Sequence, residues 1–193
     1  MSVEDDLSMP FPVRFTILSL LLVSLPAQHL LAAAVAMPDR YSARVSREVL
    51  SDGGNAVDVA VAAAFTLAVT YPEAGNIGGG GFMLLHMDGR AAFLDFREKA
   101  PGKARHDMFL DEGGNFVQRD SLVGGRASGV PGTVRGLSAA HQRYGSLPWR
   151  RLLQPANDLA RSGFEVHPVL AAYAREKIEE VAGDTNFADY FGG

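Results

Sequence analysis

The segment from Ala56 to Val69, AVDVAVAAAFTLAV, is apolar on nearly every face of the helix that it predicts. It is too short to cross a bilayer, whose apolar core of about 30 Å needs about 20 residues. Such a helix must therefore be buried, with other elements packed on both of its sides. This predicts a layered domain larger than a small helical bundle.

Further helices are predicted on both sides of this segment. Tyr41 to Leu50 has a weak helical pattern that ends at Gly53-Gly54, and Asn55 can then cap the apolar helix, with Asp58 three residues on. Later helices are predicted at 134–144, from Ser146 or Pro148 to about Ser162 with a distortion at Pro155, and from Pro168 to about Ala182.

Two short apolar runs predict a β-hairpin. Phe82–Met87 and 91–96 are separated by Asp88-Gly89, which is one of the strongest short-range hairpin signals. Both runs are apolar on both faces, so we expect central strands that are covered on each side.

Composition and spacing exclude several kinds of site. The chain has no cysteine, which excludes disulfides, zinc–thiolate sites, iron–sulfur ligation and a cysteine nucleophile. Its net charge of −4, without a basic cluster, argues against a nucleic-acid partner. The histidines show no metal-ligand spacing, so we expect no metal and no cofactor; they are His29, His86, His106, His141 and His167.

Five glycines lie between Gly75 and Gly81, but they do not match a phosphate-binding loop. No Lys-Ser/Thr pair follows them, Met83 occupies the last position of a G-x-G-x-x-G pattern, and the run leads into a strand rather than a helix. The alternative is a backbone that passes close to another backbone or to a ligand, where a Cβ would clash.

Residues 1–34 differ from the remainder of the chain. An apolar run from Phe15 to Pro26 precedes an alanine-rich stretch, although the acids near the start outnumber Arg14. The segment is consistent with an export signal, with an uncleaved membrane anchor over residues 15–36, or with a buried N-terminal helix or a misassigned start of the sequence. We therefore expect an exported, periplasmic or extracellular protein with its folded part at 35–193.

Arg97 is the candidate binding residue, because it directly follows the second predicted strand. Its planar guanidinium can bind a carboxylate with two parallel hydrogen bonds, or it can form an internal ion pair with Glu98 or a more distant acid. By contrast, the threonines lie in apolar or capping positions with no base motif nearby; they are Thr16, Thr66, Thr70, Thr133 and Thr185. The residues alone identify no nucleophile.

Six stretches, in this order, resemble the γ-glutamyltranspeptidase (glutathione hydrolase) family. They are GGNAVDVAVAAAF at 53–65, YPEAGNIGGGGFMLL at 71–85, LDFREKAP at 94–101, ASGVPGTVRGL at 127–137, HQRYGSLPW at 141–149 and QPANDLARSGFEV at 154–166.

The resemblance implies an α+β fold that is part of a four-layer αββα N-terminal-nucleophile hydrolase sandwich. It implies a precursor that cuts itself into a large and a small subunit. The threonine that begins the small subunit then transfers the γ-glutamyl group of glutathione and related compounds to water, amino acids or peptides. Arg97, in the DFRE motif, would bind the substrate's α-carboxylate. The first core strand would correspond to about Val35–Ser42.

The sequence departs from the family at the nucleophile, since none of its threonines occupies that motif. We therefore expect the chain to be the N-terminal portion of the large subunit, inactive alone, with the small subunit as its partner. Two alternatives stay open: an acylase or amidase of the same fold that acts on another small acid, and a non-catalytic remnant.

Overall fold

The computed structural model of the chain describes residues 33–181. The chain divides into two units after Ala34, so the account below concerns the second unit, Val35–Gly193. The predicted leader at 1–34 lies almost entirely outside the described residues, as do Thr16, His29 and Thr185. Within the described part, no helix is long and apolar enough to cross a membrane.

Residues 35–181 form six helices and one antiparallel hairpin, which confirms the predicted α+β class. The elements are α1 (Arg40–Ser51), α2 (Ala56–Thr70), β1 (Phe82–Met87), β2 (Arg90–Asp95), α3 (Gln118–Leu122), α4 (Thr133–Tyr144), α5 (Trp149–Ser162) and α6 (Pro168–Val181). The predicted helices and strands agree with these bounds to within a few residues, and the short helix α3 lies in a region predicted as loop.

Helix α2 is the centre of the described unit, and α1, α4 and α5 pack against it. Its start is a capping box: the Asn55 side chain accepts the N–H groups of Val57 and Asp58, and the Asp58 carboxylate accepts that of Asn55. The core around it consists of Val45, Val49, Val57, Val59, Val61, Ala62, Leu137, Ala140 and Leu152.

The prediction that α2 is buried on every side is wrong for the described residues. Part of its surface is only half-buried, namely Ala60, Ala64, Phe65, Leu67, Ala68 and Val69. The helices α1, α4 and α5 cover the remainder of its circumference. An all-apolar helix therefore has uncovered apolar surface in this part of the chain.

The segment before α1 also differs from the expectation of a first core strand at Val35–Ser42. Residues 33–37 have no regular structure, and α1 begins at Arg40. The physical reason lies at Asp39, whose Oδ1 accepts the N–H of Ser42 at 2.6 Å and its hydroxyl at 2.7 Å. This N-cap starts the helix and places residues 40–42 in its first turn.

The hairpin has the predicted turn. Asp88 and Gly89 have φ values of 51° and 73°, as both central residues of a type I′ turn require. The register pairs Phe82 with Asp95 and Met87 with Arg90. Side chains alternate along each strand, and those of one face pack against the core: Met83, Leu85, Met87 and Leu94.

The other face of the hairpin is exposed, which contradicts the expected covering of both faces. Phe82, Leu84 and Phe93 are 57%, 78% and 62% exposed, and the rings of Phe82 and Phe93 stack with their centroids 5.5 Å apart. No described element packs on this side of the strands, so their apolar outward residues lie open to solvent.

The turn between α4 and α5 is tied to α2 through Asp58. This carboxylate is fully buried, and it accepts the N–H of Ser146 at 3.1 Å and the hydroxyl of Ser146 at 2.5 Å. The backbone N–H of Leu147 lies 3.3 Å from Oδ2. Burial raises the pKa of Asp58, but the hydrogen bonds from Ser146, Asn55 and Leu147 outweigh burial and hold the pKa below its ordinary value.

Candidate functional site

Arg97 lies two residues beyond the end of β2, with its side chain 66% exposed. Its guanidinium carbon is 5.9 Å from the centre of the Phe82 ring. Its Nε is 3.8 Å from the Glu98 carboxylate, at the outer limit for an ion pair. Of the two roles left open by the sequence, the internal pair with Glu98 is thus long and solvated, and such pairs contribute little. The guanidinium remains accessible to a carboxylate from solution.

The glycine run packs against the backbone of Arg97. A Cβ on Gly80 would lie 2.7 Å from the Cα of Arg97 and from the backbone nitrogen of Glu98. Because real Cβ atoms do not approach other heavy atoms so closely, only glycine fits at this position. The close-approach interpretation of the run is therefore correct, and its neighbour is the strand end that carries Arg97.

The same run contacts the start of α4. The carbonyl oxygen of Gly79 accepts the N–H groups of Gly132 at 2.8 Å and Thr133 at 3.0 Å. These are N–H groups that the first turn of a helix leaves without a partner inside the helix. The glycine run thus serves as the cap of α4 and joins this helix to the Arg97 loop.

Phe96 forms a second connection between the loop and α4. A Cβ on Gly136 would lie 2.1 Å from Cγ of the Phe96 ring, and a Cβ on Gly132 would lie 1.8 Å from the Phe96 carbonyl oxygen. These two glycines therefore leave the space that Phe96 occupies on the surface of the helix. Beyond Arg97, Lys99 and Val130 exchange two backbone hydrogen bonds, of 3.1 and 2.8 Å.

A cleft of about 740 Å³ lies between the Arg97 loop and α4. It is lined by residues 94–99, Val130, Pro131, Gly132, Arg135, Gly136 and Ala139. The backbone around Arg97 is thus held by the glycine run, by α4 and by the Lys99–Val130 bridge, while its side chain remains open. A rigid backbone with an accessible guanidinium is suited to binding a small carboxylate.

No described histidine or threonine lines this cleft, although Thr133 begins α4 beside it. Nε2 of His141 is 2.7 Å from the Leu147 carbonyl oxygen, and no group of three or more His, Asp or Glu side chains in residues 33–181 could hold a metal ion. The hydroxyl of Thr66 donates to the Ala62 carbonyl at 2.8 Å, and Thr70 donates to the Asp39 carboxylate and to Thr66. Both threonine hydroxyls are committed to structural bonds.

Three features of the site were not predicted from the sequence: the Phe96 contact with Gly132 and Gly136, the Gly79 cap, and a hydrogen bond from the Arg97 N–H to Oδ1 of Asp95, 3.0 Å long. Only the last has a local signal. Asp and Asn side chains accept hydrogen bonds from the backbone two residues further on, and Asp95 stands two residues before Arg97.

Comparison with known proteins shows which family the chain resembles. The sequence model of a family described as Gamma-glutamyltranspeptidase matches residues 42–192. The chain is 57% identical over 159 residues to a glutathione hydrolase proenzyme of Pseudomonas aeruginosa, covering 82% of this chain and 28% of the relative. It is 51% identical over 138 residues to the glutathione hydrolase proenzyme of Escherichia coli, covering 71% and 24%.

A solved structure, the gamma-glutamyltranspeptidase from Pseudomonas nitroreducens complexed with L-DON, is also similar to this chain. The two superpose with a TM-score of 0.82 at 57% sequence identity, and the match covers 84% of this chain and 49% of the Pseudomonas nitroreducens chain. The chain spans about a quarter of the length of the curated relatives it matches. The similarity includes both the glycine run and the loop that carries Arg97. The chain belongs to the gamma-glutamyltranspeptidase family.

Proposed function

We propose that this chain is the N-terminal portion of the large subunit of a γ-glutamyltransferase or glutathione hydrolase, and that Arg97 binds the α-carboxylate of the γ-glutamyl donor. The proposal is carried by the environment of Arg97. Its backbone is clamped by neighbouring residues, whereas its guanidinium is exposed, with Nε 3.8 Å from the carboxylate of Glu98. Family membership supports the reaction class.

In the proposed reaction, this chain binds and orients the donor, and the chemistry takes place on a residue outside it. Arg97 holds the α-carboxylate through two parallel charge-assisted hydrogen bonds, which fixes the position of the γ-amide. A threonine at the start of the small subunit attacks the carbonyl carbon of that amide, and its own α-amine takes the hydroxyl proton. The amide C–N bond then breaks, the amine part of the donor leaves with that proton, and the γ-glutamyl group remains as an ester on the threonine. The γ-glutamyl group then passes to water, an amino acid or a peptide.

The small subunit is proposed as the partner that covers the exposed face of the hairpin. Phe82, Leu84 and Phe93 form an apolar surface beside Arg97, and an uncovered surface of this kind favours packing against another layer. A second sheet on this face would complete a four-layer αββα sandwich with the helices below. The binding site for the donor would then lie between the two subunits, with Arg97 on its wall.

Export is a further part of the proposal. The apolar run at 15–26, followed by alanines, supports a signal peptide or an anchor over 15–36 and a periplasmic or extracellular location. Cell fractionation and N-terminal sequencing of the mature protein distinguish these cases. An uncleaved protein in the cytoplasmic fraction contradicts export.

The test of the binding role is the kinetics of R97A and R97K in the processed enzyme made from the complete precursor. The loss of a desolvated charge pair costs about 2–5 kcal/mol, so we expect KM for a γ-glutamyl anilide to rise at least about 30-fold. R97K keeps the charge but loses the planar fork, and it should also raise KM.

The matched control is R161A, which removes an exposed arginine at the end of α5, where it contacts Asn157. This variant should have the KM of the unaltered enzyme. Folded R97A and R97K enzymes with unchanged KM contradict the assignment of Arg97.

A further inference from the structure

Asp95 occupies the point at which the hairpin ladder ends. The N–H of Phe96 still follows the ladder and donates to the Gly81 carbonyl at 3.0 Å. The next N–H, that of Arg97, donates instead to Oδ1 of the Asp95 side chain at 3.0 Å. Because successive N–H groups of an antiparallel strand point to opposite edges, the Arg97 N–H faces away from β1, and the Asp95 carboxylate supplies its acceptor at the residue that carries the guanidinium.

The carboxylate of Asp95 acts on the backbone of Arg97 rather than on its charged group. Among the described residues, the contacts recorded for the Arg97 guanidinium are with Glu98 and with the Phe82 ring. A direct Asp95–guanidinium pair would occupy the fork that a ligand carboxylate needs. The backbone bond orients Arg97 and leaves this fork open.

The remaining contacts of the loop restrict its position but not this turn. Gly80 packs on the Cα of Arg97, and Phe96 sits against Gly132 and Gly136. These contacts restrict the loop by van der Waals packing. The hydrogen bond that the Arg97 N–H donates to Asp95 is the directional contact at Arg97 itself, whereas the backbone bonds of Phe96 and Lys99 lie one and two residues away.

We propose that Asp95 is a positioning residue for donor binding: its side-chain acceptor fixes the backbone of Arg97, so that the guanidinium meets the donor's α-carboxylate in bidentate geometry. This inference rests on the proposed function of Arg97. It assigns to Asp95 a role as a hydrogen-bond acceptor, and its negative charge is not required for that role.

The test compares D95A and D95N in the processed enzyme made from the complete precursor, with a γ-glutamyl anilide as donor. D95A removes the acceptor, and the loss of one orienting hydrogen bond should raise KM about five- to tenfold with kcat nearly unchanged. D95N keeps a side-chain oxygen in the same place without the charge. It should restore KM to within about twofold of the unaltered enzyme, because an Asn side chain also makes this turn.

Thermal unfolding of both variants is measured alongside, together with R97A as the reference for complete loss of carboxylate binding. The inference is overturned if D95A keeps the original KM, if D95N is as impaired as D95A, or if D95A lowers kcat and the melting temperature without a selective rise in KM. An unchanged KM in R97A contradicts the proposed function itself. A raised KM in R97A beside an unaffected D95A contradicts only the role of Asp95.

Discussion

The buried Asp58 carboxylate should be one of the largest single contributors to the stability of this unit. It accepts from four donors: the N–H of Asn55 at 3.0 Å, the N–H of Ser146 at 3.1 Å, the hydroxyl of Ser146 at 2.5 Å and the N–H of Leu147 at 3.3 Å. Three of these donors come from the turn between α4 and α5, 88 or 89 residues away in sequence. One side chain thus joins the start of α2 to the connection between two other helices.

In D58A these donors lose their acceptor inside the protein. A buried donor without a partner costs about 1–3 kcal/mol, and water that enters the space of the lost carboxylate restores part of this. The capping box at Asn55 is also broken, which costs about 1 kcal/mol. We therefore expect a loss of about 3–5 kcal/mol, a large share of the about 5–15 kcal/mol typical of a folded domain.

The assay is urea unfolding of the purified protein followed by tryptophan fluorescence. The sequence has one tryptophan, Trp149, whose ring centroid lies 5.2 Å from that of His141 and 5.5 Å from that of Phe65. Trp149 lies two residues after Leu147, in the turn that is hydrogen-bonded to Asp58, and its fluorescence therefore reports on this region. S146A removes one of the four donors and should lose about 1.5–3 kcal/mol, as expected for a hydrogen bond to a charged group.

The control is D158A, an exposed acid on α5 that accepts from Gln154 at 2.7 Å and should change the free energy of unfolding by less than about 0.5 kcal/mol. The reasoning is refuted if D58A lowers the free energy of unfolding by less than about 1 kcal/mol or by no more than D158A does. Removing a fully buried carboxylate that accepts four hydrogen bonds should destabilise the protein by more than that.

Two further predictions use the same unfolding measurement. G136A gains about 1 kcal/mol of helix propensity, but its Cβ would lie 2.1 Å from Cγ of Phe96, so we expect a net loss of about 1–2 kcal/mol; a stabilised G136A contradicts the packing described. Burial raises the pKa values of Asp58 and Asp39, but the hydrogen bonds that both carboxylates accept outweigh burial and lower the pKa values below their ordinary range. The two ionised carboxylates therefore stabilise the folded state fully above the unfolded pKa of about 3.9, and this contribution is lost as the pH falls through the folded pKa values. The free energy of unfolding should therefore decrease below about pH 4, with a shallower decrease in D58A; an equal slope in both proteins contradicts this.

Local elements were predictable because their signals lie within a few residues of one another. Asn55 with Asp58 predicts the start of α2, and Asp88-Gly89 predicts the turn between β1 and β2; both are present in the structure. The start of α1 was harder to predict, because its N-cap Asp39 lies within the stretch Val35–Ser42 that the family resemblance led us to expect as a strand.

The site was only partly predictable. Arg97 is the candidate binding residue by its place after a strand and by the DFRE motif, and the glycine run was correctly interpreted as a close approach of backbones. The partners of that approach are distant in sequence: Gly79 caps a helix that begins at Thr133, and Phe96 packs on Gly136. Periodicity and spacing carry no information on which glycine meets which residue across such separations.

The sequence by itself determined the helices other than the short α3, and the hairpin with its turn, because capping, turn geometry and apolar periodicity act over short stretches of chain. It also determined the family, through six motifs in order. Only the tertiary structure decided that Asp58 holds the turn at Ser146, that one face of the hairpin lies open, and that the Arg97 backbone is clamped while its guanidinium is largely exposed. These depend on contacts between residues far apart in the chain, which only the packed fold brings within hydrogen-bond or van der Waals distance.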